Sequence, residues 1–335
     1  VVPVHFDDYG VFHSPLSAFV SENEEEMQKR YSQSAQAVYQ EIVWPSLTSI
    51  ASRTGVKMTC MMTPQFTYTD EEEPDGENVT YYLKRLKEEH AEAGLSADSR
   101  EGILLSEKIK QDQTFWQTYA PSYRFLSLYA DGVKSIGEES ALPAEIRTVA
   151  LGSGASGQAV GYLNENVTLQ PSTSSGIRHT FLDDFKVKCM ETALGYSNIT
   201  LDLYSVTYPE GDEDSWEKMS KKIAANLGTY WKAYEAFDAT TLTESDVRIR
   251  RFLALDYKQQ RAGNVITLSL EHREDAAWFL LRLHGEKVTE VAGGSFEEIE
   301  DGVYLILAEE DEVSVEVQNG ETWQYQDGGK RGDGT

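Results

Sequence analysis

Val4-His5-Phe6-Asp7-Asp8-Tyr9-Gly10 is the stretch on which the reading of the fold turns. It closes a short apolar run, Val1 to Phe6, so that Val1 to Asp8 reads as a buried strand. Two adjacent carboxylates at the C-terminal end of a strand repel each other and lose water, which suggests chemistry rather than stability. In α/β proteins that end of the strand is also where ligands sit. Asp7 and Asp8 are therefore candidates for a metal ligand plus a general base, or for an acid/base pair. An Asp-rich turn or helix start is the competing reading. His5 stands two residues before Asp7 and shares its face of the strand, either as a hydrogen-bonded core histidine or as a partner in the site. His13 follows on what reads as a loop near the pair.

Working outward, strand and helix patterns alternate for about 240 residues. Glu22 to Arg53 has helical spacing, with Pro45 as a kink and Gly55 as a C-cap. Val56 to Met62 reads as a second buried strand, Val79 to Ala93 as a helix ended by Gly94, and Leu95 to Ala97 as a short strand. Ser106 to Tyr119 is a helix, and Arg124 to Tyr129 and Arg147 to Leu151 are strands. Phe181 to Leu194 is a helix and Ile199 to Val206 a strand. Asp214 to Phe237 is amphipathic, and its stripe Trp216, Met219, Ile223, Leu227, Tyr230 and Tyr234 reads as core. Thr241-Leu242-Thr243-Glu244 is a capping box.

The pattern then changes to short strands and turns: Phe252 to Tyr257, Val265 to Leu270, Trp278 to Leu283, Val303 to Leu307 and Val313 to Val317. Alternating β and α predicts a parallel-stranded barrel or sheet, and the tail predicts a small antiparallel β-sandwich. The expected domains are 1–245, 246–325 and a flexible tail, 326–335.

Composition narrows the partners. A formal charge of -26 argues against nucleic acid and anionic membrane, and is compatible with a neutral or cationic polymer such as a glycan. No apolar run is long enough to span a bilayer. The chain begins at Val1, inside a strand-like run, and reads as a piece of a longer protein. Cys60 and Cys189 read as two buried thiols.

With these motifs in hand, the first 240 or so residues resemble the polysaccharide deacetylase superfamily of the NodB-homology type. That family opens with a strand ending Thr-Phe-Asp-Asp-Gly, and this chain has His5-Phe6-Asp7-Asp8-Tyr9-Gly10. The resemblance implies a β/α barrel, with Asp7 as general base and Asp8 as metal ligand. The second family motif, Glu-x-Gly-x-His-x-x-x-His, corresponds to Glu92-Ala93-Gly94-Leu95-Ser96-Ala97-Asp98-Ser99-Arg100, where Ser96 and Arg100 stand in place of both histidines. One carboxylate cannot hold a divalent metal alone, so no cofactor is expected, although the family carries a divalent metal. The third motif implies Arg124 as the residue that orients the base. The last motif falls on Leu201 to Pro209, which has no histidine; Asp202 and Tyr208 are the candidates there.

The resulting expectation is a carbohydrate-active hydrolase, deacetylase-like or glycosidase-like, working on a cell-envelope or extracellular polysaccharide of a bacterium without the standard metal site. A pair of carboxylates would flank a glycosidic bond, Asp7 or Asp8 on one side and Asp202 or Asp131 on the other. The expected catalytic residues are Asp7, Asp8, Arg124 and Asp202, and the expected substrate-binding residues His5, Tyr9, Asp131 and Tyr208. The alternative is a non-catalytic glycan-binding or scaffold module.

Overall fold

The strand that opens the chain, β1 (Val2–Val4), does not join the parallel strands. The structure, a computed structural model, describes residues 2–4, 11–15, 24–34, 37–62, 76–96, 113–130, 142–152, 160–175, 177, 180–194, 196–201, 203, 206, 211–230 and 239–319. The chain divides into two compact units, Phe6–Leu253 and a second made of Val1–His5 with Ala254–Thr335.

In the first unit the strands are β2 (Val11–Pro15), β3 (Lys57–Met62), β4 (Glu92–Ser96), β5 (Ser127–Ala130) and β6 (Thr148–Leu151). They continue with β7 (Gly161–Tyr162), β8 (Thr168–Pro171), β9 (Ser174–Ser175) and β10 (Asn198–Thr200). Its helices are α1 (Glu24–Tyr31), α2 (Trp44–Thr54), α3 (Gly76–Glu88), α4 (Phe181–Leu194), α5 (Trp216–Tyr230) and α6 (Leu242–Ala254). Among the described residues the strands form one sheet in the order β7-β8-β6-β5-β4-β3-β2-β10-β9. Only the β7–β8 pair is antiparallel; every other neighbouring pair is parallel. β8 and β9 are separated by Ser172 and Thr173 alone, yet they pair with different partners. β8 pairs with β6, and β9 with β10.

Local chemistry explains the helix boundaries. Thr241 caps α6 as the sequence predicts: its N–H donates to Glu244 Oε2 at 2.9 Å, and the Glu244 N–H donates to Thr241 Oγ1 at 3.4 Å. Thr180 and Asp183 cap α4 in the same way, the Thr180 N–H donating to Asp183 Oδ2 at 2.8 Å. Of the expected stripe of α5, Trp216, Met219, Ile223 and Leu227 are core, all at 3% exposure or less, and Tyr234 lies outside the described residues. The helix expected over Glu22 to Arg53 is instead interrupted after α1, resumes as a π-helical turn, Val38–Val43, and then becomes α2. Pro45 falls in the first turn of α2, directly after the π-helical turn, so the proline that cannot continue the hydrogen-bond ladder stands at the change of helix type.

The second unit holds β1 with β11 (Asp256–Ala262), β12 (Val265–Glu271), β13 (Ala277–Arg282), β14 (Glu286–Ala292), β15 (Gly294–Glu300), β16 (Val303–Ala308) and β17 (Glu312–Asn319). These form two antiparallel sheets, β1-β13-β16-β15 and β11-β12-β17-β14. Alternating residues of both sheets, among them Leu268, Val313, Val315, Phe279 and Ile306, bury into one cluster. β14 turns into β15 at Gly293-Gly294, where a Cβ on either glycine would strike the carbonyl oxygen of Glu312 or Leu307.

Several expectations are corrected here. Val2–Val4 pairs antiparallel with Trp278–Leu280 in the second unit, so the strand before Asp7 is not the first strand of the parallel sheet; that place belongs to β2. A three-residue strand carries too little pattern to select its partner. His13 lies within β2, not on a loop. The helix expected to run to Ala93 ends at Glu88, and Glu92–Ser96 is strand, with Gly94 in its interior. Phe252 to Ala254 belongs to α6, and the strand starts at Asp256. The expected boundary at 245/246 therefore falls inside α6. Cys60 is buried as expected, but Cys189 is exposed. No described helix is long and apolar enough to cross a membrane.

Candidate functional site

The parallel sheet has two unlike faces. On one, Met58, Cys60 and Met62 of β3, Leu95 of β4, Leu128 of β5, Val149 and Leu151 of β6 and Ile199 of β10 join residues of α2, α3 and α5 in the main core. The alternate positions include Thr59, Ser127, Thr148, Thr168, Gln170, Asn198 and Thr200, polar and just as deeply buried, beside a small apolar cluster of Met61, Ala150 and Leu242. Buried polar side chains must find partners, and across much of this face they find one another. Gln170 Nε2 donates to Thr148 Oγ1 at 2.7 Å, and Ser245 Oγ donates to Gln170 Oε1 at 2.7 Å.

The N-terminal end of this face is closed by the start of α6. Leu242 N–H donates to Thr59 Oγ1 at 3.0 Å. Glu92, the first residue of β4, accepts from Ser127 Oγ at 2.6 Å and from both the hydroxyl and the N–H of Thr243. Its carboxylate sits at the N-terminus of α6, where the helix dipole favours negative charge. Asp246 accepts from Thr168 Oγ1 and, at 3.0 Å, from Arg250 Nε. Arg250 NH2 in turn donates to the carbonyls of Arg147 and Asn166. Both carboxylates are thus consumed in holding strands to helix. Glu92, which the deacetylase motif brings to attention, is a structural clamp in this fold.

The opposite, C-terminal end is where a parallel sheet places ligands. Ser96 ends β4 and Thr200 ends β10 at that side. The register sets His13 of β2 in one row with Thr200 of β10, Thr59 of β3 and Glu92 of β4, the last two bonded to the start of α6. α4 starts shortly after β9, so its first turn lies at the same end; there Phe181, Leu182 and Phe185 are 86%, 71% and 61% exposed.

Of the residues expected to form the site, Asp7, Asp8, Asp202, His5, Tyr9, Asp131 and Tyr208 lie outside the described residues. In chain order Asp7 and Asp8 fall between β1 and β2, ahead of the first parallel strand, whereas Asp131 directly follows β5 and Asp202 follows β10 by one residue, Leu201. Arg124 is described: it is exposed and precedes β5, on the N-terminal side, where the resemblance had set it near a strand's end. Beside it, Tyr123 is anchored, its hydroxyl accepting from the Ala93 N–H at 2.7 Å and donating to the Ala93 carbonyl at 3.2 Å. Burial pushes its phenol pKa up to about 12.

Among the described residues no group of three or more His, Cys, Asp or Glu side chains is placed to hold a metal ion. The polar face was missed from sequence, although a signal was present: β5, β6 and β8 open with Ser127, Thr148 and Thr168, and each then alternates polar or small with apolar. The chain matches no protein-family model and no curated protein.

Proposed function

We propose that the protein is a carbohydrate-active hydrolase that cleaves a neutral or amino-sugar glycan at the C-terminal end of its parallel sheet, outside the cell or at the cell envelope. What supports this reading is chain order: Asp131 directly follows β5 and Asp202 follows β10 by one residue, while the described carboxylates Glu92 and Asp246 are spent on α6.

In such a site one carboxyl group protonates the leaving glycosidic oxygen. The other, ionised, either activates water or attacks the sugar carbon, and the separation of the two sets the stereochemical outcome. Asp131 and Asp202 are assigned these roles, with Asp7 and Asp8 as the competing pair. The exposed rings of Phe181 and Phe185 give that end a surface on which the apolar face of a sugar can stack. The net charge of -26 favours a glycan without acidic groups.

The same reading includes closure of the sheet into a β/α barrel, with the second unit as a sandwich. What supports closure is that β6 and β10 are both paired by the continuous segment Thr168–Ser175, through β8 and β9. Ser172 N–H donates to Leu151 O, and Thr173 N–H to Asn198 O, so the hydrogen bonding passes from one partner to the other at adjacent residues.

The test is release of reducing ends and of acetate from a panel of acetylated and plain polysaccharides. Asp131→Asn and Asp202→Asn should each lower glycan cleavage by about a hundredfold or more, with glycan binding retained. Loss confined to Asp7→Asn and Asp8→Asn would move the site to the competing pair. Acetate release without chain cleavage would restore the deacetylase reading, and binding without any product would leave a glycan-binding module.

A further inference from the structure

We infer that Ser96 and Thr200, each at the C-terminal end of its strand, are sugar-hydroxyl ligands; this rests on the glycan reading above. Ser96 is 6% exposed and Thr200 4% exposed, and each is the last residue of its strand. Ser96 Oγ and Thr200 Oγ1 are buried and have no hydrogen-bond partner among the described residues. Asn198, two residues before Thr200 on the same face, is in the same position on one side only. Its Nδ2 donates to Gln170 O at 3.2 Å, while its Oδ1 has no partner there.

An unpaired buried hydroxyl costs free energy that a fold does not ordinarily accept. The polar face shows how readily it is avoided. Thr148, Thr168 and Gln170 on the same face are all paired, with one another or with α6. Ser96 and Thr200, the last residues of β4 and β10, stay unmatched among the described residues, as do Asn198 Oδ1 on the same strand as Thr200 and the hydroxyls of Ser197 and Thr240. Serine and threonine hydroxyls both donate and accept, which matches the hydroxyls of a sugar ring and would suit a hydrophobic ligand poorly; the net charge of -26 disfavours an anion. The cost in the empty state is recovered when the ligand supplies the missing partners.

The perturbations are Ser96→Ala and Thr200→Val, which remove a hydroxyl and keep the shape. Both variants are expected to melt at or above the parent temperature, since an unpaired polar group has been removed. Each should raise KM for the cleaved glycan by about tenfold, with kcat unchanged. Thr200→Ser, which restores a hydroxyl, should return KM to the parent value. Binding is read independently by the melting shift with pentamers of glucosamine, N-acetylglucosamine and glucose. If Thr200→Val fails to fold, Ser96→Ala and Thr200→Ser carry the test. An unchanged KM and an unchanged pentamer shift in folded variants overturn the inference and leave the hydrolase reading intact. A parent protein that binds and cleaves none of the glycans overturns the hydrolase reading and this inference with it.

Discussion

Asp246→Asn is the sharpest test of how the α/β unit is held together. Asp246 is 3% exposed and its two carboxylate oxygens each take a 3.0 Å hydrogen bond from Arg250 Nε, while Thr168 Oγ1 donates to Oδ1. The amide keeps the shape and one acceptor. It turns an NH2 group towards the guanidinium, so two donors face each other and Arg250 loses its counter-charge. Breaking a fully buried pair by removing one partner costs roughly 3–5 kcal/mol. The Arg250 side chain is 27% exposed and keeps its bonds to the carbonyls of Arg147 and Asn166, so water and those carbonyls relieve part of the loss. A cost of about 2–3 kcal/mol follows, which for a unit of this size lowers the melting temperature by about 4–12 °C. The assay is a thermal melt followed by far-ultraviolet circular dichroism, run for Asp246→Asn, Arg250→Met and the double variant. The double-mutant cycle should give a coupling of about 1–2 kcal/mol. A single variant that melts within about 1 °C of the parent, or a cycle additive within about 0.3 kcal/mol, would refute the view that this pair fastens α6 to β8.

Three further outcomes follow from the same structure. A thiol reagent at pH 8 should modify Cys189 alone in the native protein: Cys189 is exposed on α4, whereas Cys60 is buried in β3 with its pKa pushed up to about 12 by burial. Reaction of both thiols before unfolding would contradict this. Alkaline stability should fall as pH rises from about 9 to 12, because the Cys60 thiol and the Tyr123 phenol both titrate near 12 when folded and near 8.5 and 10 when unfolded. The folded state then holds the extra protons, and each group contributes a loss of about 1.4 kcal/mol per pH unit within its own window; a flat urea-midpoint profile over that range would exclude it. Gly94→Ala should destabilise by about 1–3 kcal/mol in urea titration, because the new methyl would sit 2.5 Å from Met61 Sδ and 2.6 Å from Ser127 Oγ, the latter pinned by its bond to Glu92. A neutral effect would show that Met61 and Ser127 can both give way.

Much of the secondary structure was legible from local chemistry. The capping box at Thr241, the stripe of α5 and the limits of α4 depend on residues within a few positions of one another, and all three hold. Where local pattern was thin, the reading slipped. β14 and β15 are mostly exposed and carry charged residues on both faces, so neither alternation nor an apolar run marked them. The candidate site was legible only as chain positions. Asp131 and Asp202 stood out as acids near strand ends, but nothing in their neighbours says which edge of a sheet those ends form.

What the sequence determined by itself is the sequence of elements: alternating β and α, then a run of short antiparallel strands, because capping, periodicity and turn chemistry act over one or two turns of chain. What the tertiary structure decided is partnership. Val2–Val4 looks like any buried strand, yet its backbone pairs with Trp278–Leu280, some 275 residues away in sequence, and that one pairing takes the strand before Asp7 out of the parallel sheet. Glu92 and Gly94 look like part of a catalytic motif, yet one is held by Thr243 and the other by the space left by Met61 and Ser127. Hydrogen bonds between strands and contacts between side chains are made by residues far apart in the chain, so no local pattern can specify them.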